Sequence, residues 1–223
     1  MLQLLTSKPV LFVANVDESD LEGKNPLVQR VREHVEGSGA GVVHLESLES
    51  AETRGARIYA EVLGSALNCG GHRQGGSMTA PNPTSVRRCI SQAIADSGIE
   101  PDEIDAINGH LTATGADSSE VASWAAALDR TPDTFPLICS TKSMIGHALG
   151  AAGAIESVAC ILMLQGGFVH PSINCEDVHP EIEAYAASIP HEVADTSELT
   201  TIIKAGFGFG DVNACVVFRK WSD

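Results

Sequence analysis

The stretch IDAINGHLTATGADSSEVASWAAAL, residues 104–128, contains in turn a pattern typical of a strand, of a loop and of a helix. This succession indicates a fold in which strands and helices alternate. The apolar start of the stretch, IDAIN, predicts a short buried strand, because apolar and β-branched residues suit a covered sheet. A loop containing glycine and threonine follows and carries His110. A helix is then predicted from Asp117, with apolar residues at helical spacing: Val121, Trp124 and Leu128.

The same alternation of strand and helix extends through the rest of the chain. PLICS, residues 136–140, predicts a strand that delivers Lys142 and His147, and a helix rich in Gly and Ala follows to Gln165. Upstream, ARIYAEVLGSAL from Ala56 predicts a strand, and a helix capped by Thr84 or Ser85 is expected to end at Gly98. Two late strands, TTIIKAG and ACVVFRK, are predicted on either side of the connection FGFGDVN. The predicted class is α/β, with helices layered on a buried sheet.

Composition and charge exclude several functions. The formal net charge of −15 makes nucleic-acid binding by a basic surface unlikely on electrostatic grounds. The apolar run from Ala148 to Leu164 is interrupted by Gly150, Gly153, Glu156 and Ser157, so it predicts a buried helix and no membrane span. The six cysteines form no CxxC pair and no leader precedes them, so reduced thiols in a cytoplasmic protein are expected.

Three segments at predicted strand exits carry the residues suited to chemistry. They are INGHLTATGADSSE at 107–120, STKSMIGHALGAAGAIE at 140–156 and AGFGFGDVNACVVF at 205–218. Loops at strand ends often carry function because the sheet positions them. A single histidine at a strand end, or GFGFG alone, would more often be structural. The order of all three segments is a much stronger signal.

Together these segments closely resemble the C-terminal half of β-ketoacyl-acyl-carrier-protein (ACP) synthases. The resemblance covers residues 37–223 and implies the C-terminal half of a thiolase-like, layered αβαβα fold. Three positions depart from the usual family pattern: Leu111, Gly115 and Asp211, the last of which changes GFGG to GFGD. The implied activity is an acyltransferase reaction of fatty-acid or related acyl-chain synthesis. In it a malonyl thioester is decarboxylated and the resulting enolate attacks an acyl-cysteine.

The resemblance assigns catalytic roles to His110, Lys142 and His147. Two neutral imidazoles can donate N–H groups to the enolate oxygen, which needs preorganised donors. His147 is expected where the Gly/Ala-rich helix begins, so that the helix end and burial favour the neutral ring. Lys142 is implied as a source of positive charge that orients His110.

Further residues are assigned around this centre. Thr112 and Thr114 are implied to line the tunnel for a phosphopantetheine arm, or alternatively to cap the following helix. Phe209 resembles a gate for the acyl chain, with Phe207 beside it, and flanking glycines allow such motion. Glu156 is expected in the helix behind His147. No metal site is expected, because His170, His179 and His191 show no ligand spacing.

The family's nucleophilic cysteine lies in its N-terminal half, and no matching motif occurs here. The implied partners are therefore an acyl carrier protein and the missing N-terminal synthase half, with a dimer or other association expected. No cofactor is expected, because phosphopantetheine is carried by the ACP. The alternative is a non-catalytic partner resembling a chain-length factor. Five arginines could contact an acidic carrier or form an ordinary solvated surface: Arg54, Arg57, Arg73, Arg87 and Arg88.

Residues 1–36 have a different character. LLTSKPVLFVANVDESDLEGKNPLVQRVREH resembles the base-recognition strand and following helix of Obg-like ATPases, in which NVDE, here 15–18, reads the base. No GxxxxGK[ST] phosphate loop accompanies it, so nucleotide binding is not expected. A fused or rearranged gene, or a designed chimera, would each account for the two resemblances.

Overall fold

The computed structural model describes residues 45–73 and 76–222, together with Pro26 and Arg30, and divides into the units 1–58 and 59–223. Within residues 45–58 of the first unit lies a short helix, α1, at Leu48–Thr53. The hydroxyl of Ser47 caps it by accepting a hydrogen bond from Ser50 N at 3.3 Å. The base-recognition strand implied by the Obg-like resemblance, with NVDE at 15–18, lies outside the described residues.

A five-stranded mixed sheet organises the second unit, in the order β1-β7-β6-β2-β3. Its strands are β1 (Ala60–Cys69), β2 (Ala106–Asn108), β3 (Leu137–Cys139), β6 (Thr201–Gly208) and β7 (Val212–Lys220). Strand β7 runs antiparallel to both β1 and β6, while β2 pairs in parallel with β3 and β6. A separate two-stranded ribbon joins β4 (Phe168–Val169) and β5 (Ala194–Asp195).

Helices cover both faces of this sheet. They are α2 (Pro83–Ser97), α3 (Asp117–Leu128), α4 (Lys142–Ile145) and α5 (Ala152–Gly166), with single turns or runs of 3-10 helix at Pro101–Glu103, Pro132–Thr134, Leu149–Ala151 and Pro180–Ser188. Ile203 faces the core formed with α2 and α3, whereas its neighbour Ile202 faces the core formed with α5. This alternation is the period-two pattern of a strand. The predicted α/β class is confirmed, and the second unit forms a helix–sheet–helix sandwich.

Helix α2 shows how local sequence sets the bounds of an element. Its start was predicted at Thr84 or Ser85, but the cap is Asn82, whose Oδ1 accepts a hydrogen bond from Thr84 N at 2.9 Å. Pro83 then occupies the first helical position, where the missing N–H costs nothing. The predicted end at Gly98 is confirmed, because this glycine adopts the left-handed conformation with φ 65°.

The connection between the last two strands is shorter than the sequence predicts. FGFGDVN was expected to join them, but β6 continues to Gly208 and β7 begins at Val212. Antiparallel pairing of Phe207 with Asn213 and of Gly208 with Val212 satisfies the backbone groups that a loop would leave to solvent. The turn therefore contains three residues and places Phe209 at its start.

The apolar segment Leu149–Gly166 includes α5. Among residues 45–73 and 76–222 it is the one helical stretch long and apolar enough, by length and composition, to cross a membrane, with mean hydropathy 1.5. Glu156 lies inside it and forms ion pairs with Lys142 and Lys204. Cys160, Met163 and Leu164 are buried against the sheet. These contacts are those of a core helix.

Candidate active site

Parallel strands bring the first two sequence-predicted residues to one edge of the sheet. Asn108 at the end of β2 is paired with Cys139 at the end of β3. His110 follows β2 by two residues and Lys142 follows β3 by three, so both side chains emerge at the same edge. The loop after α4 adds His147, whose ring meets that of His110 edge to face, with centroids 5.4 Å apart and an interplanar angle of 79°.

Glu120 of α3 holds the turn that presents His110. Its Oε1 accepts hydrogen bonds from His110 N at 2.7 Å and Trp124 Nε1 at 3.2 Å, and its Oε2 accepts one from Leu111 N at 3.0 Å. A Cβ atom on Gly109 would lie 2.8 Å from Glu120 Oε1, so this close approach requires glycine. Burial raises the pKa of Glu120 to about 7 despite these three donors. The sequence analysis missed this residue, although an acidic residue four positions before a core tryptophan was a usable signal.

The electrostatic surroundings of His110 favour its neutral form. Burial is the largest cause that lowers its pKa, and electrostatic interactions with Lys142, His147 and Lys204 lower it further, to about 3. A neutral imidazole keeps one N–H that can be donated without a change in its own charge. His110 is therefore suited to stabilise a developing oxyanion rather than to act as a cationic acid.

This low pKa predicts that the free energy of unfolding falls in acid because His110 becomes protonated more readily in the unfolded chain than in the folded one. Because the folded-state pKa lies below the ordinary histidine value of 6.5, the contribution of His110 to stability is complete above pH 6.5 and is lost as the pH falls toward 3. At pH 5.0 the deficit for this group is about 2 kcal/mol. Urea unfolding of the wild-type chain and of His110→Asn at pH 7.5 and 5.0 measures it. The wild type should lose about that much more stability than the variant, and equal losses would contradict the prediction.

Lys142 lies in a buried cluster of three charges. The carboxylate of Glu156, which is 2% exposed, forms an ion pair through Oε1 with Lys142 Nζ, and through Oε2 with Lys204 Nζ at 3.0 Å. Glu156 was expected behind His147, but its contacts are with the two lysines. Lys204 was missed in the sequence, where a lysine inside the apolar strand TTIIKAG was the available signal. Both lysines are at most 8% exposed.

His147 differs from its sequence-based description in two ways. The helix α5 begins at Ala152, five residues later, because a 3-10 turn at Leu149–Ala151 intervenes. The imidazole is also exposed rather than buried. Its Nδ1 accepts a hydrogen bond from Leu149 N at 3.0 Å, so in a neutral ring Nε2 carries the proton. The ring is thereby oriented by its own loop and not by a helix end.

Thr112 and Thr114 lie on the loop beside His110, and their hydroxyl oxygens are 3.2 Å apart. The carboxylate of Asp117 secures this loop by accepting hydrogen bonds from the amides of Thr112 at 3.1 Å and Ala113 at 3.0 Å. Thr114 Oγ1 adds a longer hydrogen bond from Ala116 N at 3.4 Å. Thr114 is exposed and Thr112 is half-buried, so a ligand that approaches from this side can reach the hydroxyl of Thr114.

The two phenylalanines of GFGFG have different surroundings. Phe207 is 3% exposed and its ring meets that of His110 edge to face, with centroids 6.1 Å apart, so it packs behind the histidine. Phe209 is 70% exposed at the β6–β7 turn. Phe207 is thus a packing residue, whereas Phe209 has the exposed ring that a gate would need.

Asp211, which stands where the family pattern GFGG has its last glycine, anchors the loop before α2. Its fully buried carboxylate accepts hydrogen bonds from Asn82 N at 2.8 Å and His72 N at 3.1 Å. A Cβ atom on Gly70 would lie 2.0 Å from Asp211 Oδ2, and one on Gly76 would lie 2.5 Å from it. The carboxylate of Asp211 therefore links the turn that carries Phe209 to the amides of His72 and Asn82. It occupies the space that a side chain at Gly70 or Gly76 would need.

Three of the six cysteines, Cys139, Cys160 and Cys215, lack the surroundings of a nucleophile. Burial raises the pKa of Cys139 to about 12 and raises those of Cys160 and Cys215 well above the ordinary thiol range. Such thiols are inert, because the thiolate is the reactive form. Within residues 45–73 and 76–222 no group of three His, Cys, Asp or Glu side chains is arranged to hold a metal ion.

His170, one of the three histidines without metal-ligand spacing, is buried at 6% exposure. Its Nε2 lies 2.9 Å from Thr141 Oγ1, which in turn accepts a hydrogen bond from Asn108 Nδ2 at 2.9 Å. Burial lowers its pKa. This chain of contacts connects the end of β2 to Thr141, the residue that precedes α4, and so supports the backbone that carries Lys142.

Comparison with known families decides the relationship. Residues 59–176, just over half of the chain, match the family model "Beta-ketoacyl synthase, C-terminal domain". The chain belongs to the β-ketoacyl synthase family. The chain is 40% identical over 190 residues to 3-oxoacyl-[acyl-carrier-protein] synthase II, chloroplastic, of Arabidopsis thaliana, covering 84% of this chain and 34% of that protein. It is 40% identical over 185 residues to synthase 1 of Escherichia coli K12, covering 83% and 43%.

Solved structures agree with this assignment. The ishigamide ketosynthase/chain length factor matches with a TM-score of 0.71 at 35% identity, covering 79% of this chain and 42% of that one. A β-ketoacyl synthase from Burkholderia phymatum matches with a TM-score of 0.71 at 30% identity, covering 79% and 41%. The thiolase-like fold predicted for the synthase domain is confirmed.

The matches cover only part of the relatives' length. The synthase domain spans less than half the length of the curated relatives named above. The comparisons do not support the resemblance of residues 1–36 to Obg-like ATPases.

Proposed function

We propose that this chain supplies the decarboxylating half of a β-ketoacyl-ACP synthase active site. The observation that carries the proposal is the meeting of His110 and His147, 5.4 Å between ring centroids, beside the buried pair of Lys142 and Glu156. Two imidazoles that converge in this way can donate to one thioester oxygen. Loss of carbon dioxide from a malonyl thioester leaves the electron pair as an enolate, whose oxygen gains the charge that these donors stabilise.

The residues around the histidines support this chemistry. Glu120 fixes the backbone at His110, and the neutral state of the His110 ring is maintained by burial and by Lys142 and Lys204. Thr112 and Thr114 offer hydroxyls to the amides of a phosphopantetheine arm. That arm belongs to the acyl-carrier-protein substrate, so the chain itself holds no cofactor in this proposal.

The nucleophile and the acceptor acyl group belong to the remainder of the proposed enzyme. An N-terminal synthase half would bring the reactive cysteine to the exposed side of His147 and complete the condensation site. The exposed Arg87 and Arg88 on α2 are candidate contacts for an acidic carrier protein. Association with that half, dimer formation and a cytoplasmic location remain predictions.

A non-catalytic role as a partner subunit is the second candidate. Two of the similar solved structures are described as ketosynthase/chain length factor assemblies, the ishigamide protein and PfaC. A partner subunit that only shapes an acyl tunnel has no need of converging imidazoles or of a buried lysine pair. The presence of His110, Lys142 and His147 in one cluster therefore favours the catalytic candidate.

Complementation tests the proposed function. The chain would be co-expressed with the N-terminal half of a related synthase, and the purified complex would be assayed for release of carbon dioxide from malonyl-ACP and for the β-ketoacyl product. Activity that depends on His110 and His147 supports the proposal. A well-formed complex with no decarboxylation would favour the partner-subunit candidate.

A gate at Phe209 predicts a different pattern of loss. In the same complex Phe209→Ala should change acyl transfer and the preference for acyl-chain length, while decarboxylation of malonyl-ACP changes less than about threefold. The physical reason is that the exposed ring acts on chain entry, before the enolate forms. Initial rates with short and long acyl-ACP measure it, and an equal loss in both reactions would contradict a gating role.

A further inference from the structure

Lys204 is a charged residue in an apolar strand. It lies in β6 between Ile203 and Ala205, both 0% exposed, and its own side chain is 7% exposed. Lysine is almost never buried unless its ammonium group is paired, because desolvation of the charge is costly. The pairing partner therefore indicates why the residue is there.

That partner is the second oxygen of Glu156. Oε1 is taken by Lys142 and Oε2 by Lys204, and within the described residues neither oxygen has another hydrogen-bond partner. Two lysines and one glutamate give this buried cluster a formal charge of +1. The single negative charge of Glu156 already balances the positive charge of Lys142. Lys204 therefore adds a second positive charge that neutralisation of Lys142 does not require.

The backbone around the ammonium group leaves room for it. A Cβ atom on Gly206 would lie 3.2 Å from Lys204 Nζ, and one on Gly153 of α5 would lie 3.7 Å from it. A larger residue at Gly206 would press on the ammonium within its own strand. Strand and helix thus both present glycine where Lys204 reaches Glu156.

We propose that Lys204 is a positioning residue, which holds Oε2 of Glu156 so that Oε1 stays on Lys142 and Lys142 stays beside His110. A carboxylate held at both oxygens has one orientation, whereas a carboxylate held at one oxygen can rotate about its last side-chain bond. The catalytic meaning of this arrangement rests on the proposed decarboxylation. The ion-pair geometry itself does not depend on that function.

Nuclear magnetic resonance of lysine ammonium groups tests the geometry in the full chain. With 15N-labelled lysine, a buried paired ammonium gives a signal with slow proton exchange, and Lys142→Arg identifies the signal of Lys142. Lys204→Met should speed proton exchange at Lys142 by about 10-fold, because the freed carboxylate no longer holds one position. Lys204→Arg should restore slow exchange. Lys204→Gln keeps an N–H donor for Oε2 without the charge and should retain much of the slow exchange. If Lys204→Met does not fold, Lys204→Leu takes its place as the variant without a donor.

The complemented complex tests the consequence for catalysis. Lys204→Met should lower kcat for malonyl-ACP decarboxylation by about 10-fold with little change in KM, the scale on which supporting residues act, and Lys204→Arg should recover most of it. Lys220, a half-buried lysine at the end of β7, offers a matched control as Lys220→Met. That variant should match the wild type in both measurements.

The outcomes separate the two proposals. If the wild-type complex is inactive, the proposed function fails, while ammonium exchange still decides whether Lys204 positions Lys142. If exchange at Lys142 is the same in the wild type and in the variant without a donor at position 204, the positioning role is overturned. If exchange changes but the decarboxylation rate of an active complex does not, the catalytic consequence of the positioning is overturned.

Discussion

The 223-residue chain alone should form no β-ketoacyl product from acyl-ACP and malonyl-ACP. Condensation needs an acyl-thioester intermediate, and removal of a covalent nucleophile costs several orders of magnitude in rate. The fully buried Cys139, Cys160 and Cys215 all have raised pKa values, which suppress the reactive thiolate. Product would be measured by mass spectrometry of the carrier protein, with the complemented complex as the positive control.

A second arm of this experiment identifies any cysteine that reacts after all. The chain would be treated with iodoacetamide before the assay, and the modified residues would be mapped by peptide mass spectrometry. Product at an ordinary rate that disappears on alkylation would show that one of the six cysteines serves as nucleophile. The proposed division of the site between two halves would then be wrong.

In the complemented complex, His147→Ala should lower the rate of malonyl-ACP decarboxylation by about 10² to 10³, the usual scale for one oxyanion donor. His110→Ala should cost a similar factor, because the two rings meet at one place. Their effects should not multiply in the double variant, since residues that act as a unit are not additive. Carbon dioxide release under saturating malonyl-ACP measures all three variants.

The matched control is His191→Ala, which removes an exposed imidazole outside the cluster. Its decarboxylation rate should equal that of the wild type. If His110→Ala and His147→Ala also decarboxylate at the wild-type rate, the catalytic assignment is wrong. The partner-subunit candidate would then explain the structure better.

Much of the fold was predictable because it depends on short-range patterns. The helix from Asp117 through Leu128 follows from apolar residues at helical spacing, and its bounds are those predicted. Gly98 ends α2 because a left-handed residue is needed there. The strand before His110 was predicted from Ile104 and begins at Ala106. A shift of two residues is common at the ends of short elements.

The supporting residues of the site depend on contacts between distant parts of the chain, and local patterns do not contain them. Lys204 meets Glu156 only because β6 packs against α5, so its role is visible only in the folded chain. Glu120 lies on the inner side of α3, where a charged residue contradicts the helical pattern and is explained by the amides of the next loop. His147 was placed at a helix start because the 3-10 turn before α5 has no distinct sequence signal.

The carboxylate of Asp211 also constrains how this chain can have diverged. Because a Cβ atom on Gly70 would lie 2.0 Å from Asp211 Oδ2, any side chain at position 70 and the aspartate at 211 exclude one another. In this conformation a residue larger than glycine at position 70 would require the aspartate to move or to be replaced. Among homologues, aspartate at this position of the turn should therefore occur together with glycine at 70, and the two sites should evolve as one inherited unit.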